Sequence, residues 1–107
     1  MDKILRNTLL YDFYAELLTK KRKSIYGMYF LENMTMEEIG EKMGVTRQAV
    51  NFSLKQTQVK LDGFEEKLGM LALDRKMQSH LAKLEDALDA NDQAKSQKIL
   101  KDMKSLF

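Results

Sequence analysis

Residues 34–54 read MTMEEIGEKMGVTRQAVNFSL, and this segment predicts two short helices with a tight turn between them. Thr35 precedes Glu38 by three residues, the spacing at which the two side chains cap the start of a helix. Gly44 is placed to end that helix, because glycine adopts a left-handed backbone without steric cost. Thr46 can then cap the second helix. Two helices joined in this way form a helix-turn-helix, whose second helix typically lies in a DNA major groove.

The outward face of the second predicted helix carries polar side chains suited to nucleic acid. Ala49, Val50 and Leu54 are expected to face inward. Amide side chains can bind adenine edges, and arginine can bind guanine or phosphate. Phe52 is expected to pack against a neighbouring helix or subunit, the alternative being contact with a thymine methyl group. The candidate DNA-binding residues are Thr46, Arg47, Gln48, Asn51 and Lys55.

A dense basic run supplies a second group of candidate contacts. The formal net charge is only +2, so the distribution of charge matters more than its total. A solvated helix start would also explain the run, but lysine at a helix N-terminus opposes the helix dipole, which favours a phosphate-binding role. The helix that follows is acidic, with Glu37, Glu38 and Glu41. The phosphate-contact candidates are Lys20, Lys21, Arg22 and Lys23.

Composition predicts an all-α chain and argues against catalysis. The 107 residues include five glycines, no proline, no cysteine and a single histidine, His80. Disulfides, thiolate metal sites and two-histidine metal sites are therefore excluded. The carboxylate pairs are predicted on exposed helical faces, so we expect no enzyme activity, no metal and no cofactor. The sequence shows neither a signal peptide nor an apolar run long enough to span a membrane, and we expect a cytoplasmic protein.

Apolar spacing predicts further helices on both sides of the central motif. Before it, helices are expected over about 4–18 and 20–32, with Thr19 capping the second. The tyrosines of these helices, which could stack on bases, are more simply explained as the rim of the core. After it, one apolar seam runs to Leu71 and a second begins near Met77, with Asp74 as a candidate cap between them. A last helix is expected to start after Asn91-Asp92 and to run to about Ser105.

These helices suggest two regions, a helix-turn-helix domain over residues 1–62 and a C-terminal helical extension over 63–107. Gly63 is where the long helix could pause. The extension either folds back on the first two helices or packs against another chain. A homodimer would let two such motifs bind two half-sites together.

The chain resembles the YlxM-like proteins, small bacterial proteins usually encoded beside genes of the signal recognition particle. The resemblance covers about Leu9 to Met70 and is carried by FYAELLTKKRKSIYGMYFLENMTMEEIGEKMGVTRQAV and, less closely, by KQTQVKLDGFEEKL. The helix-turn-helix is also similar to the fourth conserved region of bacterial sigma factors, which reads the promoter −35 element. The resemblance implies a helix-turn-helix bundle like that sigma-factor domain, and a DNA-binding regulator linked to the signal recognition particle pathway.

Two departures from the family pattern limit what the resemblance implies. Residues 51–53 are Asn-Phe-Ser where a tyrosine and acidic or amide residues are common, and Gln56 stands where a basic residue is common. The final thirty or so residues match no pattern of the family. An accessory protein that binds signal recognition particle RNA or GTPase is therefore the alternative function, and a helical adaptor that binds another protein is a third.

Overall fold

The computed structural model describes residues 2–107 and contains only helices over that range. About 83% of these residues are helical, which confirms the all-α prediction. A short 3-10 turn, Ala15–Leu17, follows the first helix. The six α-helices are α1 (Lys3–Tyr14), α2 (Lys20–Phe30), α3 (Met36–Met43), α4 (Arg47–Leu68), α5 (Met70–Asp89) and α6 (Gln93–Lys104).

Side-chain caps fix where most of these helices begin, and the caps of α2, α3 and α4 are those predicted from the sequence. The hydroxyl of Thr19 accepts a hydrogen bond from the backbone N–H of Arg22 at the start of α2. Asp92 caps α6 in the same way. Each such cap satisfies a backbone donor that has no partner within its helix. Thr35 and Thr46 cap α3 and α4.

Contacts within the chain divide it into two compact units, one ending at Gly69 and the other spanning Met70–Phe107. Helix α4 continues through Gly63, so the boundary predicted between residues 62 and 63 lies inside this helix. Gly69 ends α4 in a left-handed conformation with φ of 61°. The expectation that Asp74 caps the next helix is wrong, because the break comes earlier and Asp74 lies inside α5.

The first unit is built around an apolar core to which α1, α2, α3 and α4 all contribute. Leu10, Ile25, Ile39, Val50 and Leu61 are at most 1% exposed. Complete burial of such a side chain stabilises a fold by about 1.5–3 kcal/mol. Two of the four tyrosines, at positions 14 and 26, are also buried. These two side chains belong to the core, as expected, but they lie inside it and not at its rim.

A polar network ties α4 to α1 and α2 beside this core. The hydroxyl of Tyr26 donates to Gln58 Oε1 at 2.8 Å, and Gln58 Nε2 donates to Asn7 Oδ1 at 3.0 Å. Arg6 forms an ion pair with Asp62 at 2.8 Å. Burial raises the pKa of Tyr26, so its hydroxyl stays protonated and can donate. The network fixes the direction of α4 relative to the helices before it.

The second unit is a hairpin of α5 and α6. Ala87, Ser96 and Ile99 are buried in it, and Asn91 turns the chain with φ of 55°. Several leucines of the hairpin stay exposed, among them Leu81, Leu88 and Leu100 at 42%, 60% and 44%. The helix predicted to start after Asp92 begins at Gln93 and ends at Lys104, one residue before the predicted end.

Candidate nucleic-acid interface

Helices α3 and α4 form the predicted helix-turn-helix. The hydroxyl of Thr35 accepts from the Glu38 N–H at 3.1 Å, and the Glu38 carboxylate accepts from the Thr35 N–H at 3.0 Å, which confirms the predicted cap. Gly44 adopts a left-handed conformation with φ of 70°, also as predicted. The Val45 N–H then donates to the Gly40 carbonyl at 2.9 Å and closes the turn. The helix cap and the left-handed glycine that the sequence predicts are therefore both present.

At Gly40 the backbone of α3 comes close to the backbone of the turn, a contact that was not predicted from the sequence. A Cβ atom built there would lie 2.7 Å from the carbonyl oxygen of Val45. Ala49, expected to face inward, is exposed instead, whereas Val50 and Leu54 are buried as expected. The correction follows from helical spacing, because Ala49 lies one residue away from the buried stripe of α4. The sequence signal for this close contact was the glycine itself, because glycine is unfavourable inside an amphipathic helical segment such as MEEIGEKM.

The predicted DNA-binding residues occupy the first three turns of α4. Arg47, Gln48 and Lys55 are exposed, and Asn51 is half-buried. The hydroxyl of Thr46 accepts the Ala49 N–H at 3.0 Å, so one of its lone pairs already serves the helix cap. These side chains lie on the part of α4 that a helix-turn-helix presents to a groove.

Arg47 is engaged by an acidic residue of the preceding helix. Its Nε lies 2.8 Å from Glu37 Oε1, which makes the two side chains an ion pair. The side chains remain 58% and 63% exposed, so the ion pair lies at the surface. Glu38 has a different task, because the backbone N–H of Thr35 hydrogen-bonds to it and lowers its pKa. The acidic face of α3 therefore contributes both a helix cap and a partner for Arg47.

The basic run is divided between two sides of α2. Lys21 and Arg22 line a groove between α2 and α4, and Lys20 and Lys23 line a different groove beside Tyr11. Lys23 also forms an ion pair with Glu16, and this hydrogen bond raises the pKa of Lys23. Only half of the predicted phosphate-contact cluster therefore lies beside α4, the predicted recognition helix.

The groove between α2 and α4, here called the α2–α4 groove, combines positive charge with an aromatic ring. Among the described residues that line it, none carries a carboxylate. Phe52 is 64% exposed, so it is not packed against a neighbouring helix of the first unit as the sequence analysis expected. The residues that line the α2–α4 groove are Thr19, Lys21, Arg22, Ile25, Val45, Ala49, Phe52, Ser53 and Gln56.

The part of the chain that the structure describes contains neither a metal-binding cluster nor a membrane-spanning helix. Within residues 2–107, no group of three or more histidine, cysteine or acidic side chains is arranged to hold a metal ion. None of the helices in that range combines the length and apolar character needed to cross a membrane.

The fold and the α3–turn–α4 geometry define the class as a helix-turn-helix protein. The sequence model of the UPF0122 family, the YlxM / p13 like helix-turn-helix proteins, matches residues 1–103, and the chain belongs to this family. The resemblance noted from the sequence is thus confirmed and extends over nearly the whole chain.

Relatives from several bacteria support the same assignment. The UPF0122 protein BH2485 of Halalkalibacterium halodurans is 39% identical over 106 residues, which cover 99% of this chain and 95% of the relative. The UPF0122 protein lin1916 of Listeria innocua is 46% identical over 89 residues, covering 83% and 77%. The UPF0122 protein Teth514_1714 of a Thermoanaerobacter species is 39% identical over 88 residues, covering 82% and 75%.

Proposed function

We propose that this protein binds duplex DNA through α4 and acts as a regulatory DNA-binding protein. The observation that carries the proposal is the α2–α4 groove, which places Lys21 and Arg22 beside the exposed face of the recognition helix. Phosphate contacts supply most of the nonspecific affinity for DNA, and α4 alone offers few cations. The groove adds two positive charges where the DNA backbone would run beside the helix.

Sequence preference is expected to come from the first turns of α4. The exposed amide of Gln48 and the half-buried amide of Asn51 can each bind an adenine edge through two hydrogen bonds. Arg47 can bind guanine O6 and N7. Lys55 is one turn further along and is placed for the phosphate backbone. Replacing both Gln48 and Asn51 by alanine should therefore relax sequence preference and leave most of the affinity.

The test compares two double variants that lose the same charge. Lys21→Ala with Arg22→Ala removes the cations of the α2–α4 groove, and Lys20→Ala with Lys23→Ala removes those of the other groove. Fluorescence anisotropy with a random duplex pool, at several salt concentrations, gives the slope of log affinity against log salt. The first variant should reduce that slope by about 1.8, since each phosphate contact contributes about 0.9. The second should change it much less.

Two results would count against the proposal. Binding by the wild type that does not depend on salt would remove the electrostatic argument. Equal effects of the two double variants would show that the α2–α4 groove has no special role.

An accessory role in the signal recognition particle is the second candidate. It is favoured by Phe52, whose exposed ring lies beside Lys21 and Arg22 in the α2–α4 groove. An aromatic ring next to cations suits unpaired bases, which stack on it while the backbone binds the charges. Under this function, particle RNA would compete with duplex DNA, and Phe52→Ala would weaken RNA binding more than DNA binding. A pull-down that recovers particle GTPase without RNA would favour a protein partner instead.

We also propose that the protein acts as a homodimer. The exposed leucines of α5 and α6 support this, because a two-helix hairpin leaves much of its apolar surface without cover. A symmetric dimer would present two copies of α4 to two half-sites.

A further inference from the structure

The ion pair between Glu37 and Arg47 joins α3 to the start of α4, which is the part of α4 that would contact DNA. Arg47 is the first residue of α4, and Glu37 lies in the first turn of α3. Arg47 Nε lies 2.8 Å from Glu37 Oε1. Both residues also line the groove that contains the start of α3. The contact therefore fixes the direction of a side chain that belongs to the predicted base-reading set.

The ion pair with Glu37 is made by Nε of the guanidinium. The contact uses Nε, on the side of the planar group, whereas the two Nη atoms at its end carry four further N–H donors. Those end donors are the ones that can bind guanine O6 and N7 together. Exposed ion pairs contribute little to folding, so stability alone is a weak explanation for this pair.

We propose that Glu37 is a positioning residue that holds Arg47 in the orientation needed to read guanine. The inference rests on the proposed DNA-binding function and names one determinant of its specificity. Arginine has a long side chain, and fixing its orientation before binding reduces the entropy lost when the base contact forms. Because Glu37 is an anion, it also opposes the use of Arg47 as an unspecific phosphate contact.

The experiment separates this role from a general charge effect. Glu37→Ala removes both the charge and the hydrogen-bond acceptor, and Glu37→Gln removes the charge but keeps an acceptor oxygen. Glu41→Ala is the matched control, because Glu41 is exposed and lies one turn further along the same helix. Base preference is measured for each variant by selection from a random duplex library. The position read by Arg47 is defined as the position that Arg47→Ala relaxes.

The expected result is specific to one base position. Glu37→Ala should reduce guanine preference there by about 3-fold or more, out of the roughly 5-fold or larger preference of a bidentate arginine contact. Affinity for unrelated duplexes should stay equal or rise. Glu37→Gln should retain part of the preference, and Glu41→Ala should retain all of it. Equal loss in Glu37→Ala and Glu41→Ala, or no loss in either, would overturn the inference while leaving the proposed function intact.

A measurement without DNA tests the same contact. In the free protein, ¹⁵N relaxation of the Arg47 Nε–H group should show restricted motion in the wild type and in Glu41→Ala, and faster motion in Glu37→Ala. Equal mobility in all three proteins would overturn the inference whatever the DNA result. If the wild type binds no duplex while Arg47 is restricted, the proposed function fails, and with it the base-reading part of the inference.

Discussion

Gly40 lies where the second half of α3 meets the turn that leads into α4, and no larger residue fits there without movement. The obstacle is the carbonyl oxygen of Val45, 2.7 Å from an added Cβ, and a backbone atom cannot rotate away as a flexible side chain can. The Gly40 carbonyl also accepts the hydrogen bond that closes the turn. A single glycine therefore sets how closely the two helices of the motif approach.

We predict that Gly40→Ala destabilises the first unit by about 1–3 kcal/mol, the usual range for overpacking at a tight contact. Gly63→Ala is the matched control, because Gly63 also lies inside a helix but has nothing within 4 Å of an added Cβ. That substitution should stabilise α4 by about 0.5–1 kcal/mol, since glycine is a poor helix former. Urea unfolding followed by circular dichroism measures both. A Gly40→Ala protein as stable as the wild type would show that the turn can shift at little cost.

Helix α3 begins with a charged cap, and its stability should therefore depend on pH. The Thr35 backbone N–H bonded to the Glu38 carboxylate lowers the pKa of that carboxyl from its ordinary value of 4.5. A group whose pKa is lower in the folded state stabilises the fold above its unfolded pKa. That contribution is lost as the pH falls through the folded pKa.

We expect the urea midpoint of the wild type to decrease as the pH is lowered from about 5 to about 3, partly because the Glu38 carboxylate of this cap becomes protonated. Glu38→Gln should show a smaller fall over the same interval, because glutamine can still cap the helix but does not titrate. Urea midpoints measured for both proteins across this interval provide the comparison. Identical pH profiles would mean that the charge of Glu38 adds nothing to the neutral cap.

The same element shows how far local sequence signals reach. Thr35, Glu38, Gly44 and Thr46 act through backbone groups within a few residues, so their spacing in the sequence was enough to predict α3, the turn and the start of α4. The end of α4 was harder to place, because Gly63 and Gly69 offer similar signals. Only Gly69 adopts the left-handed conformation that ends the helix.

Contacts between different helices could not be predicted from these local sequence signals. The division of the basic run depends on the rotation of α2, which puts Lys21 and Arg22 beside α4 and Lys23 beside Glu16. The Glu37–Arg47 pair likewise depends on how α3 and α4 cross. Neither could be read from spacing along the chain, although the residue types involved had already been singled out.

At the scale of the whole molecule, the exposed apolar surface of the second unit bears on the oligomeric state. The second unit has only 38 residues, Met70–Phe107, and exposes several leucines. Units of this size rarely bury enough apolar surface to be stable alone, and association is one way to cover what remains. A pair of such hairpins could form a four-helix bundle.

We predict that the wild type has twice the 12.5 kDa chain mass in light scattering after gel filtration. Leu81→Glu with Leu88→Glu should give a monomer, because four charges would then enter the dimer interface. Ser79→Glu with Ala82→Glu is the control, since both residues are exposed on other faces of α5 and the charge change is equal. A monomeric wild type, or dissociation by both variants alike, would contradict the proposed dimer.

Helix α4 separates the residues that fold the protein from those that would meet its target. Val50, Leu54, Thr57 and Leu61 are buried on one side, and the exposed side chains from Arg47 to Lys55 contribute little to that core. Substitutions on the outer face should therefore cost little stability, as surface substitutions generally do. The binding preference of this scaffold can then change during evolution one side chain at a time, and members of the family can diverge in target while they keep a common architecture.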